Sequence, residues 1–590
     1  MNLTHAFRPL AWTMLLLLLV ACSLGQQSGD DSTEPQPTAG GTPFATAEAW
    51  ENPLEGEAST TVAPRAGVSP ITQMPSGTNG YPWWNDTVWY EVFVRSFYDS
   101  NGDGIGDLPG LIEKLDYLND GDPTTTNDLG ITGIWLMPIF PSPSYHGYDV
   151  TDYYDINPEY GTKEDFKRLM DEAHKRGIRV IIDYVINHTS SQHPWFQAAL
   201  AGDPQYVDWY RFVEGEQPTQ FAPWGGGNVW HPAGDDRYYY GLYWSEMPDL
   251  NYENTAVTEE IGNITRFWLE EMGVDGFRVD GAAHIVEEGR AVKNTPQTIE
   301  WLKGLRAFMK SINPESVLVG EVWYGTDEVA PYIEGEALDL AFEFTMANNL
   351  VEAAKNGTAG PLQVAYGLAA HYYPSLQYAP FITNHDIDRL FSTVGRSEEK
   401  AKMAGSVLLT GPGSPFLYYG EEIAMSGSKP DEDIRLPFPW TGASNGGFTT
   451  GTPWRGFPAD YEQYNVATLS VPPDSILNRY RALIQLRNQN EALRVGEYAK
   501  VESDVQPLFA FLRYSKNQTV LVLHNMGAEP ITDYALYFDG GIDLGNAQAV
   551  ELLWGAEVSA PQIDADHAFN AYRPLDVIEP YRSYVIQLRP

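Results

Sequence analysis

From about residue 88 onward, short runs of apolar and β-branched residues alternate with longer segments whose apolar positions recur at helical spacing. The runs are VWYEVFVRSF, GITGIWLMPIF, IRVIIDYVINH, GVDGFRVDG, SVLVGEVW, LDLAFEF, APFITNHD and GSPFLYYGEE. Between them lie stretches such as TKEDFKRLMDEAHKRG, where Phe166, Leu169, Met170 and Ala173 share one helical face and Gly177 stands at the C-cap. Strand runs that alternate with helices predict an α/β fold built as a parallel (β/α)8 TIM barrel, whose chemistry sits at the C-terminal ends of the strands. Polar residues stand at those ends: Asp183 and Asn187-His188 after the third run, Arg278 and Asp280 after the fourth, Glu321 after the fifth, His385-Asp386 after the seventh. A central strand is apolar, so charges at its exit need a reason. Any one of these carboxylates fits a structural ion pair. The whole set, converging on one rim, points to a site.

Two departures from the alternation divide the chain. The connection after the third run, residues 189–250, far exceeds the usual two to six residues and is rich in Trp, Tyr, Gly and Pro, which predicts a small inserted domain over the cleft. Past ILNRYRALIQLRNQNEAL, expected as the last barrel helix, the pattern turns to alternating strands. Residues 495–590 therefore read as a separate antiparallel β-sandwich domain, leaving 81–188 and 251–494 for the barrel.

At the other end, MNLTHAFRPLAWTMLLLLLVAC has one Arg, an apolar core too short to span comfortably and a small residue before Cys22, the pattern of a signal peptide over 1–21. Leu19 to Cys22 also resembles the bacterial lipobox, which makes Cys22 the expected lipidation site. As the chain's one cysteine it forms no internal disulfide. The polar, Pro- and Gly-rich segment up to residue 80 reads as a disordered tether. The expected location is secreted and lipid-anchored at a bacterial cell surface, with the anchor as the sole membrane contact and a monomer as the expected state. A net charge of −42 would repel nucleic acid and anionic headgroups, so neither is a partner. With 17 Trp and 35 Tyr, aromatics suffice to fill cores and to stack on sugar faces.

Between the first run and the next helix lies DSNGDGIGD, with oxygen-bearing groups at alternate positions: Asp99, Asn101, Asp103, the Ile105 carbonyl and Asp107. These match positions 1, 3, 5, 7 and 9 of a calcium loop, with Gly104 at the turn. An EF-hand is excluded because position 12 is Gly110 and a strand precedes the loop. By itself the segment fits a cation loop or a solvated Asp/Gly turn.

At DYVINH (183–188), GFRVDGAAH (276–284), GEVW (320–323) and FITNHD (381–386) the chain resembles the α-amylase family of glycoside hydrolases, family 13. MPDLN (247–251) and HGYDVTDYYDINPEYGT (146–162) are further matches, and the resemblance covers residues 82–590. It implies Asp280 as nucleophile, Glu321 as general acid/base and Asp386 as the transition-state carboxylate. Tyr148, His188, Arg278, His284 and His385 would bind substrate. It also implies structural Ca2+ in the Asp99–Asp107 loop. Independent chemistry agrees with the residue types: a retaining glycosidase needs two carboxyls about 5 to 5.5 Å apart. Arg278 and Asp280, two apart on a strand, face the same way, and the cation is expected to lower the carboxylate pKa. Glu321 must instead hold its proton near neutrality.

The subgroup features resemble lipoprotein α-amylases intermediate between oligo-1,6-glucosidases and neopullulanases. Gly281 is small where 1,6-specific relatives carry Val, which favours α-1,4 bonds; Ala283 stands where many amylases carry Lys, which leaves endo preference open. The expected activity is cleavage of internal α-1,4 bonds of starch or maltodextrin with retention. Alternatives are an exo-acting α-glucosidase, a cyclomaltodextrinase or a transglycosylase, and, from another class, a silent carbohydrate-binding protein.

Overall fold

The computed structural model describes residues 74–545 and 548–589. The signal segment, Cys22 and all but the end of the expected tether lie outside them. That end is fastened to the barrel: Arg179 donates to the Pro75 carbonyl, Thr78 to Asp86 and Asn79 to Glu491. Residues 75–79, ahead of the expected boundary at 81, thus pack with the barrel, because they find polar partners on its surface.

The barrel strands are β1 (Trp89–Val92), β2 (Gly133–Leu136), β3 (Arg179–Tyr184), β7 (Gly276–Val279), β8 (Val317–Gly320), β9 (Leu340–Ala341) and β10 (Phe416–Tyr418). All pair in parallel, in the order β10-β1-β2-β3-β7-β8-β9. Seven of the eight expected runs are strands. APFITNHD is not: it makes only single parallel bridges, Ala379 to Phe342 and Phe381 to Phe416, which close the ring between β9 and β10. Pro380 accepts from Phe416 N at 2.9 Å but has no N–H to return, so the ladder breaks there.

The barrel's interior is apolar below and charged above. Trp89, Trp135, Ile181, Val319, Phe342, Phe381 and Phe416 form one buried cluster that includes Trp83 and Trp84 from the short helix preceding β1. Trp89 stacks on Phe416 at 5.2 Å, and burying rings of this size contributes about 2–3 kcal/mol each. Two residues further along the same strands, on the same face, stand Glu91, after Trp89, and Asp183, after Ile181. Outside the sheet, the helix Lys163–Lys175 shows how the helical layer is specified. Thr162 and Asp165 form a reciprocal capping box, and Phe166, Leu169, Met170 and Ala173 are its buried face. Gly177, at φ 76°, ends it in the left-handed conformation that favours glycine.

Between β3 and β7 lies an antiparallel sheet of β4 (Phe212–Glu214), β5 (Trp230–Pro232) and β6 (Arg237–Tyr240), ordered β4-β6-β5. An antiparallel bridge between His188 and Asp249 joins the two ends of this excursion at the barrel rim. After the helix Ile476–Gln489 come β11 (Glu497–Lys500), β12 (Glu502–Ser503), β13 (Leu508–Tyr514), β14 (Thr519–Asn525), β15 (Leu536–Phe538), β16 (Val550–Glu551), β17 (Phe569–Tyr572) and β18 (Ser583–Arg589). They form two antiparallel sheets, β11-β13-β14-β18-β16 and β12-β15-β17. Their common apolar core includes Leu508, Leu521, Leu536 and Ile586.

Two buried arginines meet where this sandwich joins the barrel: Arg487, on the barrel helix Ile476–Gln489, and Arg513, on β13, which crosses between the two. The helix Glu398–Thr410 ends in carbonyls without helical partners. Arg487 donates to Leu409, Gly411 and Gly413 carbonyls at 2.6–2.9 Å, and Arg513 to Thr410, Gly411 and Gly496. The helix's C-terminal partial negative charge suits both cations. Arg513→Met strands several of these carbonyls and is expected to destabilise the fold by about 2–3 kcal/mol. Thermal unfolding should show a lower Tm; an unchanged Tm would mean that apolar contact alone holds the sandwich.

Candidate active site

Arg278, on β7 and wholly buried, is the hub of the barrel mouth. In the sheet it lies directly beside Asp183 of β3. Its Nη1 donates to Asp183 at 2.8 Å and to Asp280 at 2.7 Å, and its Nη2 lies 3.0 Å from a Glu321 oxygen. One guanidinium therefore spans the two carboxylates that the sequence singles out as a catalytic pair. Backbone ties complete the geometry: Gly281 N donates to the Glu321 carboxylate at 3.1 Å and Ala282 N to the Glu321 carbonyl at 3.0 Å.

A second chain of bonds runs to Asp386. Glu91 accepts from His385 Nδ1 at 2.6 Å; the Nε2 of the same ring lies 2.7 Å from the Tyr148 hydroxyl and 3.0 Å from Asp386. Tyr148 in turn donates to Asp183 at 2.9 Å, which joins the two networks. Arg435 donates to Asp386 at 2.9 Å and to the His385 carbonyl at 2.9 Å.

These contacts set the protonation states. Burial, then the charges of Asp280 and Asp386, push Glu321 above the usual carboxylate range against the pull of Arg278. Asp386 moves the other way: although burial opposes it, His385, Arg435 and Arg278 hold it below that range. Against its own burial, His385 is pushed up to about 10 by Asp386 and Glu91, so it is an imidazolium whose two N–H groups both donate. For Asp280 the sequence-based expectation needs correcting. Arg278 does pull its pKa down, but burial outweighs that pull and the net shift is upward. Burial likewise raises Asp183 to about 7, with Arg278 opposing.

His188 and His284 are lowered to about 4 by burial and are neutral. Each ring is anchored through one nitrogen to a backbone carbonyl. His188 Nε2 lies 2.9 Å from the Tyr148 carbonyl and His284 Nδ1 lies 2.6 Å from the Val292 carbonyl, while His385 serves two carboxylates. These rings hold the cleft's walls in place.

All three carboxylates, with Tyr148, His188 and His284, line a cleft of ≈ 660 Å³. It also takes in Trp224, Tyr243, Trp323, Tyr324 and Arg435, which the sequence reading did not single out. Glu91 was legible as an acid inside an apolar strand. Arg435 carries no local signal, and Trp224 and Tyr243 lie in an aromatic-rich segment where nothing marks one ring above another. Trp224 and Trp323 are about half exposed, at 53% and 47%, with Trp323 stacked on Phe344.

Residues 91–496 match the Alpha-amylase family, described as alpha amylase, catalytic domain. The chain belongs to the alpha-amylase family. It is a glycoside hydrolase of family 13. Among relatives of this alpha-amylase-family enzyme, Alpha-amylase 3 of Dictyoglomus thermophilum is 41% identical over 464 residues, covering 76% of this chain and 86% of that protein. The oligo-1,6-glucosidase of Parageobacillus thermoglucosidasius is 31% identical over 539 residues, 77% of this chain and 93% of its own. The crystal structure of the alpha-amylase from H. orenii superposes with a TM-score of 0.72 at 41% identity, covering 85% of this chain and 99% of that one.

The Asp99–Asp107 loop joins β1 to the helix Leu108–Glu113, and Asp107 caps that helix through Gly110 N at 2.6 Å. The buried Asp99 accepts from the N–H groups of Asn101, Gly102 and Gly104 at 2.7–3.0 Å. Among the described residues no three His, Cys, Asp or Glu side chains come together as a metal cluster, and the expected set draws also on Asn101 and a backbone carbonyl. Asn101 and Asp103 accept from the loop's own N–H groups and are exposed. The donor chemistry nevertheless fits a hard cation, because every donor is an oxygen. Burial, and to a lesser degree the Asp99 charge, raise Asp107, and among the described residues no cationic side chain pairs with either.

The His385 network makes a pH-dependent contribution to stability. In the unfolded chain this imidazole titrates near 6.5, so its ion pairs contribute in full below about pH 6.5 and are lost as pH rises through about 10. Glu91→Gln should therefore lower Tm more at about pH 7 than at about pH 10.5. An equal loss at both would show that His385 is not the cation held there.

Proposed function

We propose that this enzyme is a retaining, endo-acting α-amylase that cleaves internal α-1,4 bonds of starch and maltodextrins. The observation that carries the reading is the Arg278 guanidinium bound to both Asp280 and Glu321, which suits the short carboxyl spacing of a retaining mechanism. Asp280, held in place by its ion pair with Arg278, attacks the anomeric carbon as the carboxylate. Glu321, kept protonated by burial and by two neighbouring carboxylates, delivers its proton to the glycosidic oxygen as that bond breaks. Water then displaces Asp280 from the sugar, with Glu321 now accepting its proton. Asp386, ionised beside His385 and Arg435, balances the positive charge that develops on the ring.

Chain substrates are favoured over disaccharides by Trp224 and Trp323, whose exposed faces at the cleft offer stacking surfaces for further sugars. Gly281 supports the α-1,4 preference, as does the higher identity to an alpha-amylase than to an oligo-1,6-glucosidase. The discriminating measurement is a time course on soluble starch and maltoheptaose with Glu321→Gln as control. Rapid loss of iodine staining with mixed short maltodextrins is expected, and a loss of at least about 10²-fold in rate for the variant. Slow loss with a single small product would instead mark an exo-acting or transferring enzyme.

We further propose that Asp99, Asn101, Asp103, the Ile105 carbonyl and Asp107 hold a structural Ca2+. A bound cation would offset the two buried carboxylates and stabilise the connection from β1 to its helix. Chelated protein should gain several degrees of Tm on adding calcium, and the gain should vanish in Asp103→Ala. No gain in the parent would remove calcium from the account.

A further inference from the structure

Tyr243 stands just past β6, at the edge of the inserted sheet, and reaches into the barrel mouth. Its ring is fixed on three sides: it stacks on Trp224 at 5.2 Å and packs against His188 at 5.4 Å and His284 at 6.0 Å. Its hydroxyl lies over Gly281, so close that a Cβ there would sit 2.2 Å from it. Gly281 also has φ 53°, a conformation that disfavours any side chain. The glycine after Asp280 is therefore what makes room for this oxygen. Burial and the charges of Asp280 and Glu321 keep the phenol neutral, hence a donor. Unlike Tyr148, whose hydroxyl is bonded on both sides, Tyr243 forms no hydrogen bond among the described residues, and it lines the cleft.

We propose that Tyr243 selects the linkage that is cleaved, its hydroxyl binding the secondary hydroxyl beside the leaving oxygen of an α-1,4-linked sugar. The inference rests on the α-glucan reading above. The geometry calls for a partner close to both Asp280 and Glu321, which is where the oxygen being released must lie. In an α-1,4 bond that oxygen is attached to the leaving ring itself, with a ring hydroxyl on the adjacent carbon. In an α-1,6 bond it is attached to an exocyclic methylene, whose neighbouring ring carbon carries the ring oxygen and no hydroxyl. A rigid donor beside the acid/base carboxyl separates the two, since a site built to bond a hydroxyl rejects a substrate lacking it there. Any side chain at residue 281 would displace that donor, so Gly281 and Tyr243 act as one device.

The test compares kcat/KM for the parent, Tyr243→Phe and Gly281→Ala on three substrates: maltoheptaose, isomaltotriose and 2-chloro-4-nitrophenyl α-maltotrioside, whose phenolic leaving group has no hydroxyl to read. Tyr243→Phe is expected to lose about tenfold on maltoheptaose, the worth of one hydrogen bond. Its loss on the aryl glycoside should be several times smaller, and the ratio of α-1,6 to α-1,4 cleavage should rise. Gly281→Ala should shift the ratios the same way. Melting curves matching the parent establish that Tyr243→Phe is folded. Equal losses on all substrates, or none on any, would overturn the proposal while leaving the amylase reading intact. A parent that prefers isomaltotriose to maltoheptaose would overturn both.

Discussion

A single buried guanidinium organises the barrel mouth. Arg278 cannot stay charged in an apolar interior without partners, and Asp183, Asp280 and Glu321 cannot crowd together without a cation between them. Each requirement meets the other, and the result is a fork that sets where the Asp280 and Glu321 carboxyls point. Asp183 never needs to meet a substrate for this to work. It completes the charge balance and passes the restraint through the Tyr148 hydroxyl to His385 and so to Asp386. Five carboxyl groups, with Glu91 the fifth, thus face three cations, Arg278, His385 and Arg435. Burial and the charges of Asp280 and Asp386 therefore raise the Glu321 pKa, whereas His385 and Arg435, in contact with Asp386, hold that carboxyl low.

The barrel supplies this arrangement through register. Side chains alternate along each strand, so the positions above Trp89 and Ile181 are Glu91 and Asp183, and β7 places Arg278 beside Asp183. Beneath lies a packed aromatic layer that excludes water, and Arg278 rests 4.9 Å above the Trp135 ring. The low local dielectric strengthens every bond in the network. The inserted sheet contributes the other wall. It is tied down where it leaves and rejoins the barrel, through the His188–Asp249 bridge, and Arg211 of the insert pairs with Glu287 at 3.0 Å. Next to this sheet, Tyr243 stands over Gly281 with Trp224 stacked on its ring.

Much of this was legible in the chain. The helix Lys163–Lys175 could be read from its apolar spacing and from Gly177 at its C-terminus, because local periodicity and capping are properties of neighbouring residues. That Asp280, Glu321 and Asp386 would meet at one rim was legible because acids at strand exits are costly unless they serve something. The seventh strand was overcalled: APFITNHD has strand composition, but Pro380 withholds the N–H that a ladder requires. The sign of Asp280's shift was also misread, since the Arg278 effect is local whereas the burial that outweighs it comes from the whole rim.

By itself the sequence determined the alternation of strand and helix, the separate β domain, the family and the carboxylates that meet at the cleft, because all of these depend on residue types and short spacings. Only the tertiary structure decided which distant groups meet. Glu91 faces His385 across 294 positions and Arg435 reaches Asp386 across 49, while Tyr243 crosses from the insert to Gly281. Such pairings follow from how the strands close and the insert folds back, and they set protonation and shape, which no local pattern encodes.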